Sequence, residues 1–183
     1  MQSLRPLPMS AEQDLPDVTA DLFRQLWRGV GATATLVATE HEGQRHAMMA
    51  TAVTSVSLDP PSLLVCVNRS ASAFRALEAR GAFSLGILPA AQQDLGAAIA
   101  HAPAQERFDH GDWARLDAPK QDCHQLPWLR ETATTLFCKV ENSLDHGTHC
   151  LLIARIDAAI GETPTDPLLY MNGQFGRFAE MHG

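Results

Sequence analysis

The residues able to do chemistry in this chain concentrate between Thr51 and Ser72, which read TAVTSVSLDPPSLLVCVNRSAS. Two apolar runs flank the breaker Asp59-Pro60-Pro61, and the second, Ser62 to Val67, ends in Asn68-Arg69-Ser70-Ala71-Ser72. Hydroxyls, an amide and a guanidinium at the end of a buried strand suit a phosphorylated, flat ligand. Charge-assisted bonds hold the phosphate, and Thr54 to Ser57 add hydroxyls and main-chain groups for a ring edge. The polar cluster also opens a predicted helix, so its N–H groups offer a second source of anion binding. Ser70 or Ser72 acting only as the helix cap is the competing reading.

Other constellations carry less. Gly29-Val30-Gly31-Ala32-Thr33-Ala34 fits G-x-G-x-x-A, but a dinucleotide fingerprint needs a strand before it and a helix after it. Here a helix precedes and a strand follows, so the glycines end the helix. His146, His149, Cys150, Cys123 and His124 do not take a recognised zinc spacing, and adjacent strand residues such as His149 and Cys150 face opposite ways. No G-x-S-x-G elbow exists for a serine nucleophile.

The elements that must position these groups are mostly strands. Val18, Leu22, Leu26 and Val30, with Phe23 and Trp27 alongside, predict a one-faced helix over 18–30. Strands follow at 33–39, 45–49, 53–57 and 62–67, linked by hairpin turns at Glu40 to Gly43 and at Asp59-Pro60-Pro61. A helix over 71–80 stops at Gly81. A strand at 82–88 and a helix at 90–101 come next, then an irregular stretch over 102–130. Two strands, 134–143 and 148–159, meet at Leu144-Asp145-His146-Gly147, and a last strand spans 168–171 before Asn172-Gly173. Many strands with hairpin connections predict a mainly β fold, an antiparallel barrel with a few peripheral helices.

The chain has 183 residues, 45% apolar and 19% charged, enough for one domain with a sizeable core. Residues 1–17, polar and Pro-rich, read as an arm and 18–183 as the domain. The formal charge of -7, with scattered Lys and Arg, argues against a nucleic-acid partner. No run reaches the roughly 18 to 20 apolar residues of a membrane helix. The first residues lack a secretory h-region, so the expectation is a cytoplasmic protein. The four cysteines, 66, 123, 138 and 150, read as reduced thiols packed as small hydrophobes.

The stretch Ser55-Val56-Ser57-Leu58-Asp59-Pro60-Pro61, then Leu63 to Val67, then Asn68-Arg69-Ser70, resembles the flavin reductase family. These are the small NAD(P)H:flavin oxidoreductases that accompany two-component monooxygenases. The resemblance runs from about Phe23 to Phe178. Weaker matches fall in order at Phe83 to Leu88, Glu106-Arg107-Phe108, Leu126 to Leu129, Leu136 to Val140, His149, and Pro167 to Tyr170. It implies a split β-barrel of Greek-key-like topology, a homodimer with flavin near the subunit interface, FMN or FAD as flavin, and NADH or NADPH as hydride donor. By position, Ala50, Thr51, Ala52, Val53, Thr54, Ser55, Val56 and Ser57 would line the isoalloxazine and ribityl chain. Asn68, Arg69, Ser70 and Ser72 would meet the ribityl and phosphate groups. His149 would serve the nicotinamide side as the catalytic residue, and Tyr170 with the 173–178 tail would close over the pocket. The chain departs from the family pattern at Met49, Ala52 and Thr148, each in place of a more polar residue. Two rival readings stand beside the reductase: a flavin-binding split barrel with little or no reductase activity, and a cofactor-free interaction module.

Overall fold

The computed structural model describes residues 17–119 and 122–179; the arm expected over 1–17 lies outside them except for Asp17. Thr19 caps α1 (Ala20–Trp27) by accepting the Leu22 N–H at 3.2 Å, a standard N-cap bond. The helix is shorter than the 18–30 pattern predicts and ends at Arg28, just ahead of Gly29. None of its residues is buried.

β1 (Ala32–Thr33) leads into β2 (Thr35–His41) and β3 (Gln44–Ala50), whose hairpin turns on Glu42 and Gly43. Both turn residues have positive φ, 51° and 75°, the handedness that matches strand twist. β4 (Val53–Leu58) and β5 (Pro61–Asn68) form a second hairpin through Asp59-Pro60, with Leu58 paired to Pro61. α2 (Phe74–Arg80) stops at Gly81 with φ 64°, as the sequence predicts. Its N-cap is Ala73 with no side-chain bond, so neither Ser70 nor Ser72 caps it.

β6 (Ala82–Ile87), a 3-10 turn and α3 (Gln93–His101) follow. The stretch expected to be irregular contains a 3-10 turn at Ala104–Asp109 and a short ladder of β7 (Trp113–Arg115) with β8 (Pro127–Leu129). β9 (Thr134–His146) and β10 (His149–Gly161) form the longest hairpin. Leu144, Asp145 and His146 belong to β9 and not to a loop, because each pairs across to β10. The turn is Gly147-Thr148, with Gly147 at φ 56°. β11 (Leu169–Met171) is not the last strand: Asn172-Gly173 turns it back into β12 (Gln174–Gly176).

Seven strands form one antiparallel sheet in the order β3-β2-β6-β9-β10-β5-β4. β3 and β4 lie at opposite ends of that order, yet only Thr51 and Ala52 separate them in the chain. The three steps from Ala50 to Val53 span no more than about 11 Å, so the sheet must curl until these two edges come together. They meet without a ladder. The result is a barrel split along one seam, as the sequence leads one to expect.

Both faces of β2 are covered, so Thr35 to Thr39 are all buried. Val37 joins Val65, Val67, Phe74, Leu77, Phe83 and Leu152 in the barrel core. Leu36 and Ala38 face a second cluster with Ile99, Leu129 and Leu168. Cys123, Cys138 and Cys150 are buried and unpaired to any other cysteine, in keeping with thiols used as small hydrophobes. Among the described residues no helix is long and apolar enough to cross a membrane.

Candidate functional site

A cavity of about 860 Å³ opens beside the seam. Its barrel wall is the link and first part of β4, Thr51 to Thr54, then Leu64 and Cys66 of β5, then Thr148 and His149 at the β9–β10 turn. Its outer wall is α1, through Phe23, Arg24, Trp27 and Arg28, with Tyr170 and Met171 of β11. The volume lies toward the upper end of the roughly 300 to 1,000 Å³ range of small-molecule sites.

Strand alternation explains the barrel wall. On β5, Leu63, Val65 and Val67 point into the core, which leaves Leu64, Cys66 and Asn68 on the other face. Asn68 lies on the same face of β5 beyond Cys66, outside the cavity lining, and pairs across with His149. β4 is paired on one side only. Alternate main-chain N–H and C=O groups on its outer edge have no strand partner. A flat heterocycle placed there would find main-chain donors and acceptors along its rim.

The structure brings some predicted site residues into the cavity and leaves others out. Thr51, Ala52, Val53, Thr54, His149 and Tyr170 line it. Ala50 is buried behind, its carbonyl accepting the Thr35 hydroxyl at 2.8 Å. Ser55, Val56 and Ser57 lie further along β4, outside the lining. A bulge between Ser55 and Ser57 leaves Val56 unpaired. Ser57 Oγ accepts from the Asp59 N–H and donates to its carbonyl, so it organises the proline turn.

The polar cluster lies at the end of β5. Asn68 Oδ1 accepts from both the Ser70 N–H and the Ser70 hydroxyl, at 2.9 and 2.8 Å. Arg69 turns the other way. Its Nη1 meets Asp145 at 3.2 Å and its Nη2 donates to the Gly147 carbonyl at 2.6 Å, while the Arg69 N–H donates to Thr148. Arg69 thus secures the β9–β10 turn that carries His149. The His149 ring Nδ1 sits 2.9 Å from the Thr148 hydroxyl, which fixes the ring by a neighbour on its own turn.

Several residues here escaped the sequence reading. Arg107 is half-buried and pairs with no carboxylate among the described residues; its Nη1 donates to the Ala47 carbonyl at 2.6 Å and reaches the Ser72 hydroxyl at 3.3 Å. It places a cation beside the cluster from a segment about 35 residues away. Its one signal was the Glu106-Arg107-Phe108 match. Leu64 and Cys66 were legible from the period of β5. Phe23 and Trp27 were seen as an apolar face but not as a cavity wall. Of the departures, Met49 packs against the second core cluster and does not line the cavity, whereas Ala52 and Thr148 do.

A second cleft, of about 230 Å³, shares no lining residue with the first. Two of its charged groups are used internally: Glu40 meets Arg115 at 2.5 Å, and Arg80 donates to the carbonyls of Asp122 and His124.

The fold is a split antiparallel barrel with a largely apolar cavity beside its seam and the polar cluster Asn68 to Ser72 at the end of the adjoining strand β5. Residues 27–179 match the family described as flavin reductase like domain, and the chain belongs to that family. It is 34% identical to FMN reductase (NADH) RutF of Pseudomonas syringae pv. syringae over 93% of this chain and 88% of that one. It is 32% identical to the reductase component of the FADH(2)-dependent resorcinol hydroxylase of a Rhizobium species, over 87% and 88% of the two chains. The solved structure of BorF, the flavin reductase component of a bacterial two-component tryptophan halogenase, superimposes with a TM-score of 0.76 at 30% identity. That match covers 89% of this chain and all of BorF.

Proposed function

We propose that this chain reduces FMN or FAD at the expense of NADH and supplies the reduced flavin to a partner monooxygenase, as a cytoplasmic homodimer. The unladdered outer edge of Thr51 to Thr54, forming one wall of an apolar slot, is the observation that carries this reading. The residues fit the flavin. Main-chain groups on that edge meet the polar rim of the isoalloxazine, and Leu64 and Cys66 lie on the cavity-facing side of the neighbouring strand. Asn68, Ser70, Ser72 and Arg107 take the ribityl chain and phosphate. When bound, the flavin supplies the hydride-accepting ring, and the protein supplies distance, orientation and local polarity.

His149 is the polar side chain nearest in kind to a nicotinamide ligand. It stands across from Asn68 and reaches into the slot from the turn held by Arg69. Its task is to orient the carboxamide of the donor, since hydride transfer needs no general base. The relatives' names support NADH as donor and an oxygenase as recipient. Homodimer formation is supported by Val56 and Leu58, 50% and 91% exposed on the edge strand β4. Apolar residues on an open sheet edge favour a covering chain.

Titration with FMN and with FAD, followed by anaerobic addition of NADH, tests the proposal. A perturbed flavin spectrum that bleaches with NADH is the expected result. A perturbed spectrum that persists with both NADH and NADPH would favour a flavin-binding protein without reductase activity, a reading to which the apolar Ala52 on the cavity wall lends support. No spectral change with either flavin would end both readings.

A further inference from the structure

α1 carries an apolar face that no part of the described chain buries, yet it forms a wall of the cavity. Phe23 and Trp27 stack at 5.7 Å between ring centroids and 26° between planes. They remain 54% and 60% exposed, so among the described residues the outer face of this platform has no partner. Arg24 and Arg28 lie one turn apart, on one side of the helix. Among the described residues lining the cavity they are the only Lys or Arg, and no Asp or Glu lines it.

Each arginine keeps donors to spare. Arg24 Nη1 meets Asp21 at 2.5 Å. Arg28 Nη2 donates to the Asn172 carbonyl at 3.2 Å, and the Asn172 N–H returns a bond to the Arg28 carbonyl at 2.8 Å. The helix is therefore pinned at its C-terminal end, to the β11–β12 turn. The chain as a whole carries a charge of -7, which repels anionic ligands. Asp21 balances Arg24, and Arg28, with no carboxylate partner among the described residues, leaves this wall of the cavity locally positive.

We propose that α1 binds the adenosine-diphosphate half of the dinucleotide hydride donor, with adenine on the Phe23–Trp27 platform and the diphosphate on Arg24 and Arg28. This rests on the reductase reading and adds to it the part of the donor remote from the chemistry. A cavity of about 860 Å³ has room for more than one ring system. Aromatic platforms hold purines by stacking without base selectivity, and guanidiniums match phosphate oxygens in pairs. A second copy of the chain would cover the same aromatic face but would bring no stated use for two inward arginines.

The test compares NADH with reduced nicotinamide mononucleotide, which lacks the adenylate, and titrates ADP-ribose by calorimetry. For Trp27→Ala and Arg24→Gln, the ratio of kcat/KM for NADH to that for the mononucleotide falls about 10- to 100-fold, and heat of ADP-ribose binding is lost. Arg24 has no tie to the barrel, so its variant tests the charge without disturbing the anchor at Arg28. An unaltered ratio in both variants overturns the proposal, as does a halved solution mass with the ratio intact, which would give α1 to a second copy. A wild-type chain that binds no flavin removes the underlying reading. A wild-type chain that binds FMN and oxidises NADH, but shows no adenylate dependence, removes the α1 assignment alone.

Discussion

At the residue scale the polar cluster and its neighbours divide into two tasks. Asn68 engages Ser70 and Arg107 reaches Ser72, the pairs to which the proposal gives the ribityl chain and phosphate, whereas Arg69 is committed to the hairpin turn. Ser70→Ala and Arg107→Lys are expected to weaken FMN binding by about 1 to 3 kcal/mol each, the scale of hydrogen bonds to a charged group. Riboflavin, which has no phosphate, should bind both variants as it binds the parent; fluorescence titration of the two flavins separates the cases. Equal losses on both would mean these side chains support only the local fold. Arg69→Ala should raise the KM for NADH, by loosening the turn under His149, more than it alters FMN affinity; the opposite pattern would return Arg69 to the phosphate. His149→Ala should show the same NADH-weighted pattern, and a loss confined to flavin affinity would place His149 on the flavin instead. The thiols separate as sharply. Burial pushes Cys123 up to about 11, reinforced by Asp157, and burial also raises Cys138 and Cys150. A raised value keeps the unreactive thiol form at neutral and mildly alkaline pH. Native protein at pH 8 should therefore offer only Cys66, on the cavity wall, to a disulfide reagent, with all four reacting after denaturation; labelling of Cys138 in native protein would contradict its burial.

At the element scale, turn chemistry made much of the fold legible. Glu42-Gly43 and Asp59-Pro60 mark their hairpins in the sequence because a two-residue turn needs residues of that conformational type. The β9–β10 end misled at Asp145, a turn former whose preference the pairing of thirteen-residue strands overrode, whereas Gly147 does form the turn. β12 was missed because three residues ending in glycine carry no periodicity. Ser70 and Ser72 look like caps, but the Asn68 turn engages Ser70 first and the helix starts later. What the sequence could not express was the partner of α1: its face is plainly apolar, and nothing local says that it stands across a slot. The anchor of that helix is testable. Gly173 has φ 81°, and a Cβ there would lie 2.8 Å from Arg28 Nη2. Gly173→Ala is expected to cost about 1 kcal/mol and to lower Tm by roughly 2 to 4 °C. Faster limited proteolysis near α1 should accompany it; an unchanged cleavage pattern would mean the turn does not hold the helix.

At the scale of the whole molecule, the strand count and hairpin order made a barrel predictable, and the seam follows from topology once β3 and β4 are seen at opposite sheet ends with two residues between them. Which residues meet across that seam was not predictable from spacing, because Arg107 and α1 arrive from segments remote in sequence. The proposed homodimer would cover the exposed apolar groups of β4. Leu58→Glu should convert a homodimer into monomers by light scattering, and a dimer that survives both Leu58→Glu and Val56→Asp would move the contact elsewhere. The covalent tether Thr51-Ala52 joins edges that share no ladder. A flat guest lodged beside it can enter or depart without rupturing a single strand-to-strand bond, and an enzyme whose product must diffuse away is served by a doorway of that kind.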